Sequence, residues 1–259
     1  MLKSNGSGLL SGFPYAELAD ERTQHWPLVA SPWHALAVLT LYLLLVYYGP
    51  KCMHSRKPWQ LRGPLFIYNL CMSLLNGYIC LELYSAARKL NYSAICQPCR
   101  VSFDPQELRL ARAFWWFYIT KVFEFADTCF FILRKKQSQL TFLHIYHHSS
   151  MFIICWIIIK WTPTGSTFMP AALNSFVHII MYAYYCLAAL GSRFRRYLWW
   201  KRYLTALQLL QFALGLAWGA QAIINKCEYP PWLCYLGTTY MLPFLYLFGR
   251  FYAQKYTKT

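Results

Sequence analysis

The stretch FLHIYHHSSMFIICWIIIK, residues 142–160, is apolar over the length of a membrane crossing and yet opens on three histidines, His144, His147 and His148. A hydrocarbon core of ~30 Å takes roughly 20 helical residues, so this run is long enough. Working outward, six further apolar blocks of similar length lie near residues 33–49, 64–86, 113–133, 167–190, 203–224 and 232–253. They predict an all-α membrane protein with seven transmembrane helices, arranged as an N-terminal segment (1–32), a seven-helix unit (33–253) and a short tail (254–259).

The composition points the same way: 58% of residues are hydrophobic and 13% charged, against about 25% charged in a soluble domain. With 12 glycines and 13 prolines in 259 residues, collagen-like and disordered readings fail. A net charge of +16 in a soluble protein would raise nucleic acid as a partner. Here the basic residues sit between apolar blocks, where they set topology and meet anionic partners. No nucleic-acid partner is expected.

Orientation follows from those same residues. Lys51, Arg56, Lys57 and Arg62 lie between the first and second blocks, Arg134, Lys135 and Lys136 between the third and fourth, and Arg193, Arg195, Arg196, Lys201 and Arg202 between the fifth and sixth. Lysine and arginine are sparser in the longer segments on the opposite side, so the basic side and the C-terminus are expected in the cytosol and the N-terminus in a lumen. Two glycosylation acceptor triplets, at Asn5 and Asn91, fall on the lumenal side of this arrangement. The first 31 residues lack an apolar core after a basic start, so no cleavable signal is expected.

Of ten cysteines, Cys96, Cys99, Cys227 and Cys234 belong to the expected lumenal side or its edge. A lone Cys-x-x-Cys without a second pair suits a structural disulfide better than a metal site.

Ionisable groups inside a span cost about 2.5–3.5 kcal/mol each on insertion scales and usually face protein or a water-filled cavity. This chain gathers them. Lys121, Glu124 and Asp127 follow at three-residue spacing with Thr128 beside them, so they share a helix face. The three histidines of the opening stretch fall within an arc of ~100°. In the fifth block Asn174, His178 and Tyr182 are spaced by four, followed by Tyr184 and Tyr185; in the sixth, Thr205, Gln208 and Gln211 are spaced by three. Counted at 1.5 Å per residue, the polar faces of all four blocks fall in the cytosolic half of the membrane. The expectation is a pocket open to the cytosol with a greasy interior.

Taken together, Lys121-x-x-Glu124-x-x-Asp127-Thr128, His144-x-x-His147-His148, Asn174-x-x-x-His178-x-x-Met181-Tyr182-x-Tyr184-Tyr185 and Thr205-x-x-Gln208-x-x-Gln211 resemble, in order, the motifs of the very-long-chain fatty acid elongases. These are 3-oxoacyl-CoA synthases of the endoplasmic reticulum. The resemblance implies condensation of a long-chain acyl-CoA with malonyl-CoA, releasing carbon dioxide and CoA, with no cofactor and no metal. It implies that six of the seven helices form an inverted barrel around an acyl tunnel. His147 would be the nucleophile of a ping-pong cycle, forming an acyl-imidazole. His144, His148 and Asp127 would position it, and His178 and Asn174, with Gln208 or Gln211, would stabilise the malonyl-derived enolate. Lys121, Glu124, Tyr182, Tyr184, Tyr185 and Thr205 would line the substrate site, and Lys135, Lys136, Lys201, Arg202 and Arg250 would meet the CoA anions. A lumenal disulfide between Cys96 and Cys227 is implied in the same way, as are membrane lipid, a second copy and other elongation-cycle enzymes as partners. The family's retrieval signals place lysines differently from Lys255 and Lys258 here, so residence in the endoplasmic reticulum follows from the resemblance more than from the tail. The run His144 to Phe152 resembles the animal branches that extend polyunsaturated or very long chains, so acyl groups of about 18 carbons or longer are expected.

Two other readings use the same residues. A His-x-x-His-His box also occurs in membrane di-iron desaturases and hydroxylases, but these use about eight or more histidines, and this chain has 7, of which His25, His34 and His54 lie outside the polar pocket. Seven spans with a lumenal N-terminus also describe a seven-helix receptor, which has no need of clustered histidines facing the cytosol.

Overall fold

The computed structural model describes residues 19–256; the Asn5 triplet and the end of the tail lie outside them. Among the described residues the chain is all-helical, with seven α-helices: α1 (Pro32–Met53), α2 (Arg62–Lys89), α3 (Pro105–Leu133), α4 (Phe142–Trp161), α5 (Phe168–Ala189), α6 (Lys201–Ile224) and α7 (Pro231–Tyr256). Short 3-10 turns fill the connections after α3, α4 and α5. Helices α1, α2, α4, α5 and α6 are long and apolar enough to cross a membrane, which marks a multi-pass membrane protein. The other two have the length, 29 and 26 residues, but α3 carries six charged side chains between Glu107 and Asp127 and α7 is rich in tyrosine and threonine.

The apolar blocks match the helices to within a few residues except at α3, which begins at Pro105 rather than near 113. Its extra turns are polar, and Glu107 within them is buried. The Asp104 side chain caps the helix by accepting from the Gln106 backbone N–H at 2.7 Å, and Pro105 opens the first turn. Buried Glu107 accepts from the Tyr92 hydroxyl at 2.7 Å and from Arg22 at 3.3 Å, while Arg109 forks onto Glu82 at 2.5 and 2.6 Å. Hydropathy ends the block where these partners begin.

Helix α2 packs along α5 and α3, α3 lies against α4 and α1, and α6 lies against α7 and α5. Helices α4 and α7 meet through the stacked rings of Tyr146 and Phe244, 5.5 Å apart, and a 2.8 Å contact between the Ser150 and Tyr240 hydroxyls. The connections α2–α3, α4–α5 and α6–α7 share one end. Cys96 is bridged to Cys227 there, with Cα atoms 5.4 Å apart. The Gln97 N–H donates to Ser166 Oγ at 2.8 Å, and the Ser166 N–H donates back to the Gln97 carbonyl at 2.9 Å. Gly165, at φ +81°, lies so close beneath Cys99 that a Cβ would stand 3.0 Å from that residue's backbone. The N-terminal segment closes onto this end through Thr23, whose hydroxyl donates to the Ile159 carbonyl at 2.7 Å, and through buried Arg22, held by Asp20 at 2.6 Å. Asn91 is exposed here, just past the last turn of α2. At the opposite end Lys135 donates to the His54 carbonyl at 2.8 Å.

Cys99 takes no part in the bridge. Its thiol lies 3.5 Å from the Thr164 hydroxyl, and burial pushes its pKa up, which keeps it a poor partner for exchange. The bridge spans 131 residues, and constraining so long a loop contributes at most about 5 kcal/mol, less where membrane insertion already restricts the unfolded chain. Cys96→Ser is expected to lower the thermal inactivation temperature in detergent by several degrees; an unchanged temperature contradicts this role.

Candidate active site

The centre of the site is Glu124 on α3, 1% exposed. Its Oε1 accepts from Lys121 Nζ at 2.7 Å and lies 3.2 Å from His178 Nδ1 on α5; its Oε2 lies 3.9 Å from His148 Nδ1 on α4. The His178 contact has the distance of an ion pair without hydrogen-bond alignment. One buried carboxylate thus binds three helices together, as the three-residue spacing on one face of α3 allows. Lys121 also reaches Asn174 Oδ1 at 3.5 Å and stands 4.6 Å over the Phe117 ring. Asp127 has a different partner: it accepts from the Tyr182 hydroxyl at 2.9 Å.

The histidines occupy the first two turns of α4. Thr141 caps that helix by accepting from the His144 backbone N–H at 3.2 Å. His144 Nε2 meets the Thr128 hydroxyl at 2.7 Å, and the His144 and His147 rings lie 4.3 and 5.1 Å from that of His148. His148 is buried, whereas His147 is partly accessible and packs edge-on against Phe244, 5.5 Å away. Among the described residues no three His, Cys, Asp or Glu side chains are arranged to hold a metal ion.

A cavity of about 180 Å³ begins at His147, Asn174 and Gln211. It runs between α4, α5, α6 and α7, past Phe212 and Met241, to Ile95, Thr167 and Tyr229 at the disulfide end. From His147 to Ile158 along α4 this is about 16 Å. The walls are mostly apolar, and Gln211 Oε1 is buried among them without a hydrogen-bond partner.

A family model described as GNS1/SUR4 family (ELO) matches residues 27–259. The chain belongs to this family. It is 47% identical over 239 residues to very long chain fatty acid elongase 4 of Homo sapiens, covering 92% of this chain and 76% of that protein. It is 42% identical to very long chain fatty acid elongase 5 of Bos taurus and to very long chain fatty acid elongase 2 of Rattus norvegicus, again over 92% of this chain, with 79% and 85% of those proteins covered. The resemblance read from the four motifs is borne out, and the chain is a fatty acid elongase.

In this elongase, Lys121, Glu124, Asp127, His144, His147, His148, Asn174, His178 and Tyr182 form one connected cluster, with Gln211 across the cavity from α4. Other candidates lie apart. Tyr184 donates to the Leu198 carbonyl at 3.3 Å and Thr205 bonds back to Lys201 of its own helix at 3.3 Å, while Tyr185, 39% exposed, touches only the edge of the cluster through the Tyr182 ring, 6.2 Å away. Gln208 contacts Met181 Sδ at 3.6 Å. Lys135 is held by His54, and exposed Lys136, Lys201, Arg202 and Arg250 line none of the cavity. The expected greasy interior is present and extends from the histidines toward the disulfide end. Tyr42, Ser150 and Tyr240 were not anticipated; the signal available was a hydroxyl in mid-span, far from the interfaces where tyrosine usually sits.

Proposed function

We propose that this elongase catalyses the condensation step itself, as a 3-oxoacyl-CoA synthase that joins a long-chain acyl-CoA to malonyl-CoA in two half-reactions. The observation that carries the reading is the position of His147: a partly accessible imidazole, in ring contact with His148, at one end of an apolar cavity of acyl-chain shape. In the first half-reaction an imidazole nitrogen of His147 attacks the thioester carbonyl. A C–N bond forms, the C–S bond breaks, and the CoA thiolate takes up the proton the imidazole loses. His148 orients the ring by direct contact and His144 acts through His148, while Asp127, held by Tyr182, is the proposed further control on the protonation of the cluster.

In the second half-reaction malonyl-CoA loses carbon dioxide, and the enolate carbon attacks the acyl-imidazole carbonyl; a C–C bond forms, the C–N bond breaks, and the leaving imidazole takes up a proton from solvent, restoring His147. The developing negative charge calls for fixed donors in a dry site. His178 and Asn174, tied to Glu124 and Lys121, are the proposed donors, with Gln211 opposite and Gln208 behind it. No cofactor or metal enters this scheme. His178→Ala is expected to abolish malonyl-dependent condensation while leaving acylation by acyl-CoA alone measurable; condensation at the wild-type rate contradicts the assignment.

The helix lengths and the alternating ends support seven spans, six of them (α2 to α7) closing into a ring in the neighbour order α2, α3, α4, α7, α6, α5. In this reading the disulfide end and Asn91 face the lumen of the endoplasmic reticulum, and the basic end faces the cytosol, where acyl-CoA and malonyl-CoA arrive. Lys136, Lys201, Arg202 and Arg250 steer the CoA anions from there. Self-association and contact with other elongation-cycle enzymes belong to the same proposal.

The test is purified protein supplied with malonyl-CoA and a panel of acyl-CoAs. The expected products are 3-oxoacyl-CoAs two carbons longer, from substrates of about 18 carbons or more; turnover of none of them contradicts condensation. The cavity's far end predicts a length limit. Ala222→Phe, placed in that lining, is expected to shift the longest accepted chain downward while rates on the shortest accepted chains stay within about twofold; an unchanged profile contradicts this placement.

A further inference from the structure

We infer that Tyr42, on α1, is a positioning residue for the condensation, acting through Thr128 on His144. Helix α1 packs on the outside of α3 and α4, and Leu41, Leu43 and Leu44 on either side of Tyr42 are exposed. Its buried residues are Ala35, Tyr42 and Met53; of these, Tyr42 alone has a polar side chain. The Tyr42 ring is 3% exposed and stacks on Phe125 with centroids 4.1 Å apart and planes 15° from parallel. Its hydroxyl lies 3.2 Å from Thr128 Oγ1, which lies 2.7 Å from His144 Nε2.

A buried threonine in a helix can satisfy its hydroxyl on the carbonyl four residues back, as Thr205 does with Lys201. Thr128, fully buried, bonds sideways to two side chains instead. This builds a relay across three helices that ends on a ring 4.3 Å from His148.

The relay has a preferred direction. A phenol is a stronger donor than an alcohol, so Tyr42 donates to Thr128, and the threonine proton points at His144 Nε2. That nitrogen is then the acceptor, and the imidazole carries its proton on Nδ1. Without the phenol, Thr128 is free to accept from a protonated Nε2, and both tautomers of His144 become populated. The histidine cluster then presents the intended proton arrangement to His147 only part of the time. Tyr42 touches no substrate; its effect is on how often the cluster is correctly set.

The inference rests on His144 serving the acyl-transfer half-reaction proposed above. Its test uses the full chain in detergent, with Tyr42→Phe (which keeps the stack on Phe125), Thr128→Val, Thr128→Ser and the Tyr42→Phe/Thr128→Val pair. Steady-state kcat and KM, thermal stability, and the single-turnover rate of acyl-adduct formation by intact mass are measured for each. Tyr42→Phe and Thr128→Val are expected to lower kcat about three- to tenfold, the range of one neutral hydrogen bond, with KM for acyl-CoA within about twofold. Thr128→Ser is expected to retain the wild-type rate, and the pair to be no slower than Thr128→Val alone. Wild-type kcat in Tyr42→Phe overturns the relay, as do fully additive losses or losses that track thermal stability with Thr128→Ser as slow as Thr128→Val. If the wild type forms no adduct while Tyr42→Phe still loses kcat with the rescue pattern above, the acyl-imidazole mechanism fails and the relay stands. If both form adduct at equal rates with equal kcat, the relay fails and the mechanism stands.

Discussion

His147→Ala is expected to lower kcat for condensation by about a thousandfold or more while the protein inserts and folds. The magnitude follows from the role: removing a covalent nucleophile closes the two-step path rather than weakening one interaction along it. Folding is expected to survive because His147 is partly accessible and makes ring contacts, with Phe244 and His148, that alanine loses without stranding a buried charge. The cysteines offer no bypass. Cys155 is buried in α4, and Cys234, in the cavity lining, lies among apolar residues toward the disulfide end. The measurement is turnover of acyl-CoA with malonyl-CoA, paired with a thermal scan. Activity within about tenfold of wild type contradicts the nucleophile assignment.

Glu124→Gln is expected to be the most destabilising single substitution in the site, by about 3–5 kcal/mol, the cost of leaving a buried charge without its partner. Lys121 is 2% exposed and its strongest contact is Glu124 at 2.7 Å, so the neutral amide leaves a buried ammonium with no counter-charge, supported only by neutral partners such as Asn174 at 3.5 Å and the Phe117 ring. The same change loosens His178 and His148, which face the other edges of that carboxylate. A second variant separates fold from chemistry: Lys121→Met/Glu124→Leu removes both charges together, an exchange that is often neutral for buried pairs. It is expected to regain most of the stability and none of the activity. Full activity in the double variant contradicts a functional role for the pair, and wild-type stability in Glu124→Gln contradicts the buried-charge argument.

How legible these features were depends on where their energy resides. The helices could be read because each must exclude lipid from its own backbone, so every span is written locally as apolar length. The start of α3 could not, because Glu107 and Arg109 are held in the helix by Arg22, Tyr92 and Glu82, partners 15 to 85 residues away. In the site, Lys121, Glu124 and the histidines stood out because charge and imidazole inside a span need an explanation. Their wiring did not: spacing puts Asp127 on the same helix face as Glu124, but only the packing of α5 shows that its partner is Tyr182. Tyr42 and Tyr240 carried weak signals because tyrosine is common in membrane helices, and only the packing of α1 on α3 and of α7 on α4 shows their hydroxyls turned inward.

The central claim, that His147 carries the acyl group between the two half-reactions, is tested most directly by intact-mass analysis of wild-type protein incubated with a single long-chain acyl-CoA and no malonyl-CoA. The predicted result is a mass increase equal to one acyl group less one hydrogen, mapped by fragmentation to His147, absent in His147→Ala, and discharged on adding malonyl-CoA with appearance of the 3-oxoacyl-CoA. Condensation activity without any such adduct, or an adduct mapped to a cysteine and retained in His147→Ala, contradicts it.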